Sequence, residues 1–164
     1  LFSGTFRPVE EAITELIETG EIKANAEKLL TVGSVAPSFT LKDLSGGEFT
    51  LSSLQGKWVI LDFWGTWCGW CIKGFPKLID YYNKYSAKLE VVAINCIDSD
   101  DRWREGVKKY SLPFTNIKDD NKVSAQYAVS LYPTKIIITP EGRIHKVFTG
   151  ETEDFYKEID NIMK

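Results

Sequence analysis

The sequence predicts an α/β fold, and three features carry that prediction. Residues 58–64 form a nearly unbroken apolar run of the kind a strand shows when both of its faces are covered. A long helical stretch follows over residues 69–86, and a second apolar run over 89–95. Strand, helix and strand in this order make a βαβ unit, whose strands are parallel and whose crossover is right-handed. Ligands meet such sheets at the carboxyl ends of the strands.

The remaining elements are assigned in chain order. In residues 8–19, Val9, Ala12, Ile13, Leu16 and Ile17 recur at helical spacing, with Pro8 suited to the first turn and Gly20 to the stop. A weaker helical stretch at 24–30 leads to Gly33 and Pro37, which punctuate a boundary. Residues 1–31 are therefore expected to be a helical extension or linker from an upstream region, and residues 32–164 the main domain. Residues 39–44 and 48–51, split by Ser45-Gly46-Gly47, predict a β-hairpin whose polar positions suit a sheet edge. Short helices are expected over 102–110 and 121–128, while 112–117 carries no decisive pattern. Residues 135–139 and 144–148, joined by Pro140-Glu141-Gly142, predict a second hairpin. A final helix over 153–163 places Phe155, Ile159 and Ile162 on one face.

A chain of 164 residues, 43% apolar and 26% charged, can bury one full core and is too short for two ordinary domains. Its 20 basic and 23 acidic residues are dispersed and leave a net charge of −3, so no basic stripe for nucleic acid or anionic lipid is expected. No window approaches a membrane span, and the fragment is expected to be soluble and monomeric, with room for an upstream anchor or signal. Three cysteines are an odd count for a disulfide-stapled miniature fold.

Chemistry, more than stapling, should then explain Cys68 and Cys71, which fall where a buried strand ends and a helix begins. Cysteines three apart on a first helical turn share a face, near the Cα separation of about 4.4 to 6.8 Å that a disulfide needs. The free N–H groups and dipole of a helix N-terminus favour a thiolate, which makes Cys68 the expected nucleophile and Cys71 the resolving thiol. Three other readings compete. A zinc site would have to recruit Cys96 and His145, both distant in sequence. Haem attachment needs histidine after the second cysteine, where Ile72 stands. A purely structural disulfide fits the helix-start location poorly. Cys96 and His145 read as core and surface residues, and no metal or organic cofactor is expected.

From about Gly33 onward these residues resemble the thioredoxin superfamily, in particular its extracytoplasmic, membrane-anchored TlpA/ResA-like branch. Ala36-Pro37-Ser38-Phe39, the first hairpin and Leu51-Ser52-Ser53-Leu54-Gln55-Gly56-Lys57 are similar to that branch's opening segment. The resemblance implies a thioredoxin-like fold, a central mixed sheet flanked by helices, and a thiol-disulfide oxidoreductase acting on protein partners as a reductant. Trp67 matches the tryptophan before the nucleophile, and Pro76 the proline that bends the active-site helix. Tyr132-Pro133-Thr134 matches the loop facing the disulfide, with a cis proline beside bound substrate.

Asp62, the one charge in its apolar strand, matches a buried acid that shuttles a proton for the resolving thiol; alternation alone leaves open a solvent-facing side chain. Trp70, between the cysteines, is a candidate for the partner-binding surface. Two departures stand out. Gly69-Trp70 replaces the Gly-Pro of thioredoxin, at positions that set where the couple falls between roughly −270 and −120 mV. Gly74 stands where ResA-like proteins carry a glutamate, three residues after the second cysteine, which shifts the proton-transfer burden to Asp62 or water. Two rival functions remain. A peroxiredoxin-like thiol peroxidase shares the Phe39 hairpin, although such enzymes typically place Thr three residues before the reactive cysteine and Thr66 is two before Cys68. A non-enzymatic binding module would use the fold only to present Tyr132 and Pro133.

Overall fold

The computed structural model describes residues 30–164; the helical expectations over 8–19 and 24–30 lie outside the described residues, apart from Leu30 itself. Seven strands form one mixed sheet: β1 Thr40–Asp43, β2 Glu48–Thr50, β3 Trp58–Trp64, β4 Leu89–Asn95, β5 Thr115–Lys118, β6 Thr134–Ile138 and β7 Ile144–Thr149, in the spatial order β2-β1-β5-β4-β3-β6-β7. The central strands β5, β4 and β3 are parallel, and antiparallel pairs flank them on both sides. Among the described residues, four α-helices accompany the sheet: α1 Gly69–Tyr85, α2 Asp100–Lys109, α3 Lys122–Gln126 and α4 Glu153–Ile162.

The βαβ unit forms as the sequence implies. Trp58 through Trp64 lie in parallel register with Leu89 through Asn95, and α1 is the crossover. Alternation sorts β3 between two cores. Ile60 and Trp64 pack with Cys71, Phe75 and Leu78 of α1, Trp103 of α2, and Phe155 and Ile159 of α4. Val59, Leu61 and Phe63 face the opposite core, with Phe39, Leu41, Val123 and Tyr127. Asp62 therefore shares the α1–α4 face with Ile60 and Trp64.

β2 is the sheet edge that its polar positions suggested. The second arm of that hairpin ends one residue early, because Leu51 opens a 3-10 turn, Leu51–Leu54. The undecided segment 112–117 yields a strand, β5, inserted between β1 and β4. Its pattern was obscured by Asn116, a buried polar residue whose amide donates to the carbonyls of Leu112 and Phe114 at 3.1 and 2.8 Å. Helix α2 starts at Asp100, ahead of the expected position, because the Ser99 hydroxyl caps it by accepting from the Arg102 N–H. Helix α3 is shorter than the pattern suggested, five residues following a left-handed Asn121.

Candidate active site

Strand β3 delivers the chain to the cysteine turn, and β6 begins directly beside it, with Phe63 paired to Thr134. Residues 132 and 133 consequently stand next to the turn that carries residues 65–68. Cys68 is the N-cap of α1 and Cys71 lies in its first turn. The two form a disulfide across a Cα separation of 5.3 Å, and the Cys71 N–H donates to the Cys68 sulfur at 3.2 Å. No acidic residue occupies the first turn of α1. A thiolate at position 68 would thus meet a backbone donor and the positive end of a 17-residue helix with no neighbouring acid in that turn to oppose it. Both cysteines are buried, Cys71 more completely than Cys68. Pro76 lies inside α1, where it removes one N–H from the helical ladder.

The turn itself is pinned from β4. The Thr66 N–H and hydroxyl both donate to the Asp98 carboxylate, at 2.8 and 2.6 Å, and the Asn95 amide donates to it at 2.9 Å. Trp67 folds back so that its indole N–H donates to the Cys96 carbonyl at 3.0 Å. Gly65 makes room for that ring, since a Cβ there would lie 2.2 Å from the indole nitrogen. Tyr132 packs edge-on against Trp67 at 4.9 Å, and the Tyr132–Pro133 peptide bond is cis.

Trp67 is 45% exposed and Trp70 64%, the latter with the Lys73 ammonium 4.7 Å from its ring centroid. Ile97, next to Cys96, and Leu131, next to Tyr132, are also exposed and extend this apolar rim. Sequence reading singled out the two tryptophans and missed Ile97, Leu131 and Asp98. The exposed aliphatics follow the polypeptide's bends and not a periodic pattern. Asp98 lies ahead of the helix expected over 102–110, in a connection that carried no motif of its own.

Asp62 is buried, on the α1 face, and directly opposite Lys135 in the β3–β6 register. Burial raises its carboxyl pKa, the Lys135 ammonium at 3.5 Å pulls it back, and Glu151 adds to the rise; the net direction is upward. At 3.5 Å the ion pair is longer than a good hydrogen bond, and Asp62 Oδ1 accepts none among the described residues. Lys135 also donates to Glu151 at 3.0 Å, and the Tyr156 hydroxyl donates to the other Glu151 oxygen at 2.8 Å. Glu151, in the turn between β7 and α4, brings its carboxylate against Gly74 of α1. The position that looked bare of an acid in the sequence therefore has a carboxylate beside it, supplied from a different element.

Cys96 is a buried free thiol whose pKa is pushed up, first by burial and then by Asp119. Its sulfur faces the Ile94 carbonyl, while His145 pairs with Glu158 at 3.0 Å. Among the described residues no group of three or more His, Cys, Asp or Glu side chains is arranged to hold a metal ion, and no helix is long and apolar enough to cross a membrane.

Comparison with known proteins agrees with this geometry. The sequence profile of the AhpC/TSA family matches residues 32–147. The thiol-disulfide oxidoreductase ResA of Bacillus subtilis is 39% identical over 138 residues, which is 82% of this chain and 77% of that protein. Among solved structures, the thioredoxin domain of a thiol-disulfide oxidoreductase from Bacteroides vulgatus superposes with a TM-score of 0.74 at 26% identity, covering 82% of this chain and 99% of that one. A secreted disulfide oxidoreductase from Mycobacterium tuberculosis gives 0.67 at 28% identity, over 75% of this chain and 95% of that one. With a Cys68–Cys71 pair capping the helix that follows β3, the chain belongs to the AhpC/TSA family and, within it, to the ResA-type thiol-disulfide oxidoreductases.

Proposed function

We propose that this oxidoreductase reduces disulfides in protein partners outside the cytoplasm, with Cys68 as attacking thiolate, Cys71 as resolving thiol and Asp62 as proton acceptor. The Cys68 thiolate attacks one sulfur of the partner disulfide; a Cys68–partner disulfide forms and the other partner sulfur leaves as a thiolate. Asp62 takes the proton of Cys71, whose thiolate attacks the Cys68 sulfur. The Cys68–Cys71 bond closes and the second partner sulfur departs. Two electrons pass from the enzyme pair to the partner; Asp62 gives up the Cys71 proton to water, and the two partner sulfurs take up protons from water. An upward-shifted carboxyl suits the acceptor role, because it moves towards the range in which thiols titrate.

The observation that carries this reading is the Cys68 cap, with the Cys71 N–H aimed at its sulfur. Trp67, Trp70 and Tyr132 form the surrounding surface for an extended polypeptide, and the buried Pro133, in its cis bond, shapes the backbone beside them. Residues 32–164 are read as the catalytic unit, acting as a monomer. The secreted Mycobacterium tuberculosis relative supports the extracytoplasmic assignment.

The test is trapping. Cys71→Ser should accumulate a covalent adduct between Cys68 and a disulfide-bearing protein, and Cys68→Ser should not. Peroxide consumption that survives loss of Cys71 would instead support a thiol peroxidase, and partner binding unchanged by serine at both positions a binding module. Equilibration in glutathione buffers tests direction: a midpoint near about −270 mV fits a reductant, and one near about −120 mV an oxidant.

A further inference from the structure

Lys135 places an ammonium between the sheet and α4, 3% exposed, where two carboxylates compete for it. Glu151 has the stronger claim: it lies 3.0 Å from Lys135 Nζ, accepts a second hydrogen bond from Tyr156, and keeps 17% exposure to solvent. Asp62, at 3.5 Å and 2% exposure, has the weaker one. The seat for Glu151 exists because residue 74 is glycine; a Cβ there would lie 2.4 Å from Glu151 Oε2. Tyr156 ties the same cluster to α1, its hydroxyl also 3.5 Å from the Gly74 carbonyl oxygen, one turn beyond Cys71.

We propose that Glu151 is a positioning residue for the exchange reaction: by drawing the Lys135 ammonium away from Asp62, it keeps Asp62 able to hold a proton that it trades with Cys71. This rests on the assignment of Asp62 as proton acceptor. Removing the Glu151 charge acts twice in one direction. An anion that disfavours ionised Asp62 disappears, and Lys135 is released to close on Asp62. Both changes stabilise the Asp62 carboxylate, so Asp62 loses its proton at lower pH.

The groups facing this site come from every element packed around it. Lys135 projects from β6 and Asp62 from β3, while Tyr156 and, farther off, Glu153 belong to α4. Lys77 of α1 sits 4.5 Å from the Tyr156 ring centroid and is paired with Glu153 at 2.6 Å, and Cys96 on β4's exit feels the Asp62 charge. Among these, Glu151 alone touches the shared ammonium from the solvent side.

The test follows the two phases of reaction between the reduced, intact chain and an aromatic disulfide whose released thiolate is coloured. The fast phase is attack by Cys68, and the slow phase is resolution by Cys71. In the native protein the slow phase should show an inflection with pH that Asp62→Asn removes. In Glu151→Gln that inflection should move to lower pH by roughly one unit. Gly74→Asp combined with Glu151→Ala returns a carboxylate from α1, with oxygens about as far from its Cβ as Glu151 Oε2 now stands, and should move the inflection back. An inflection that Asp62→Asn abolishes but Glu151→Gln leaves in place, or moves upward, overturns the role of Glu151 alone. An inflection that survives Asp62→Asn overturns the Asp62 assignment and this one with it.

Discussion

Alanine at position 74 should weaken the protein, against the usual direction of a glycine-to-alanine change inside a helix. Alanine ordinarily stabilises an interior helical position by about 1 kcal/mol relative to glycine. Here the added Cβ would stand 2.4 Å from Glu151 Oε2 and 2.7 Å from its Cδ, about 1 Å inside ordinary contact. The carboxylate cannot move aside freely, because Lys135 and Tyr156 hold it at 3.0 and 2.8 Å. Overpacking of this kind costs about 1–3 kcal/mol, and weakening the charged hydrogen bond from Lys135 adds on the order of 1.5 kcal/mol. Less the helical gain, the net loss is roughly 1.5–3.5 kcal/mol. Urea unfolding of the oxidised protein, at unchanged m, reads it directly. In a Glu151→Ala background the obstacle is gone, and the same change should stabilise by up to about 1 kcal/mol. Stabilisation in the native background, or an equal loss in both, would refute the placement of Glu151 over Gly74.

Asp62→Asn should raise stability at neutral pH. A carboxyl whose pKa is raised by folding supports the fold fully below its unfolded pKa and loses that support as pH rises through the folded value, so the variant's advantage should open with rising pH and vanish below the ordinary carboxylate range; unfolding midpoints across pH measure this. Thr66→Val removes the hydroxyl bond to Asp98, and should cost about 1–3 kcal/mol while lowering kcat/KM for a protein disulfide; chemical denaturation and a reduction assay check both parts. Cys96 should stay unlabelled by an alkylating reagent in the folded, reduced protein and react once it is unfolded, as counted by mass, since its thiol is buried and its pKa raised.

The parts of the fold that alternate or recur cleanly were legible in the sequence: β3, α1 and β4 from apolar runs around a helical period, and both hairpins from their turn residues. The cysteine pair was legible for the same reason, since a strand-to-helix junction fixes which sulfur caps the helix. β5 was hidden because Asn116 breaks its apolar pattern and is satisfied by carbonyls of the loop before it. Asp62 illustrates a different limit. Its strand could have turned that side chain to either face, and the packing of Ile60 and Trp64 under α1 shows which. Glu151 was invisible for a third reason: it lies 77 residues from Gly74, and neither position points to the other until α1 and the turn before α4 are packed together. Residues whose role depends on such long-range juxtaposition leave no local periodicity to read.

The priming of Cys68 by the start of α1 is tested most directly by alkylating the reduced, folded protein across pH and quantifying each cysteine separately. Cys68 should react with a midpoint well below about 8.5, the ordinary cysteine value, and Cys71 should lag behind it throughout that range. Equal rates at the two sulfurs, with a midpoint at or above the ordinary value, would contradict it.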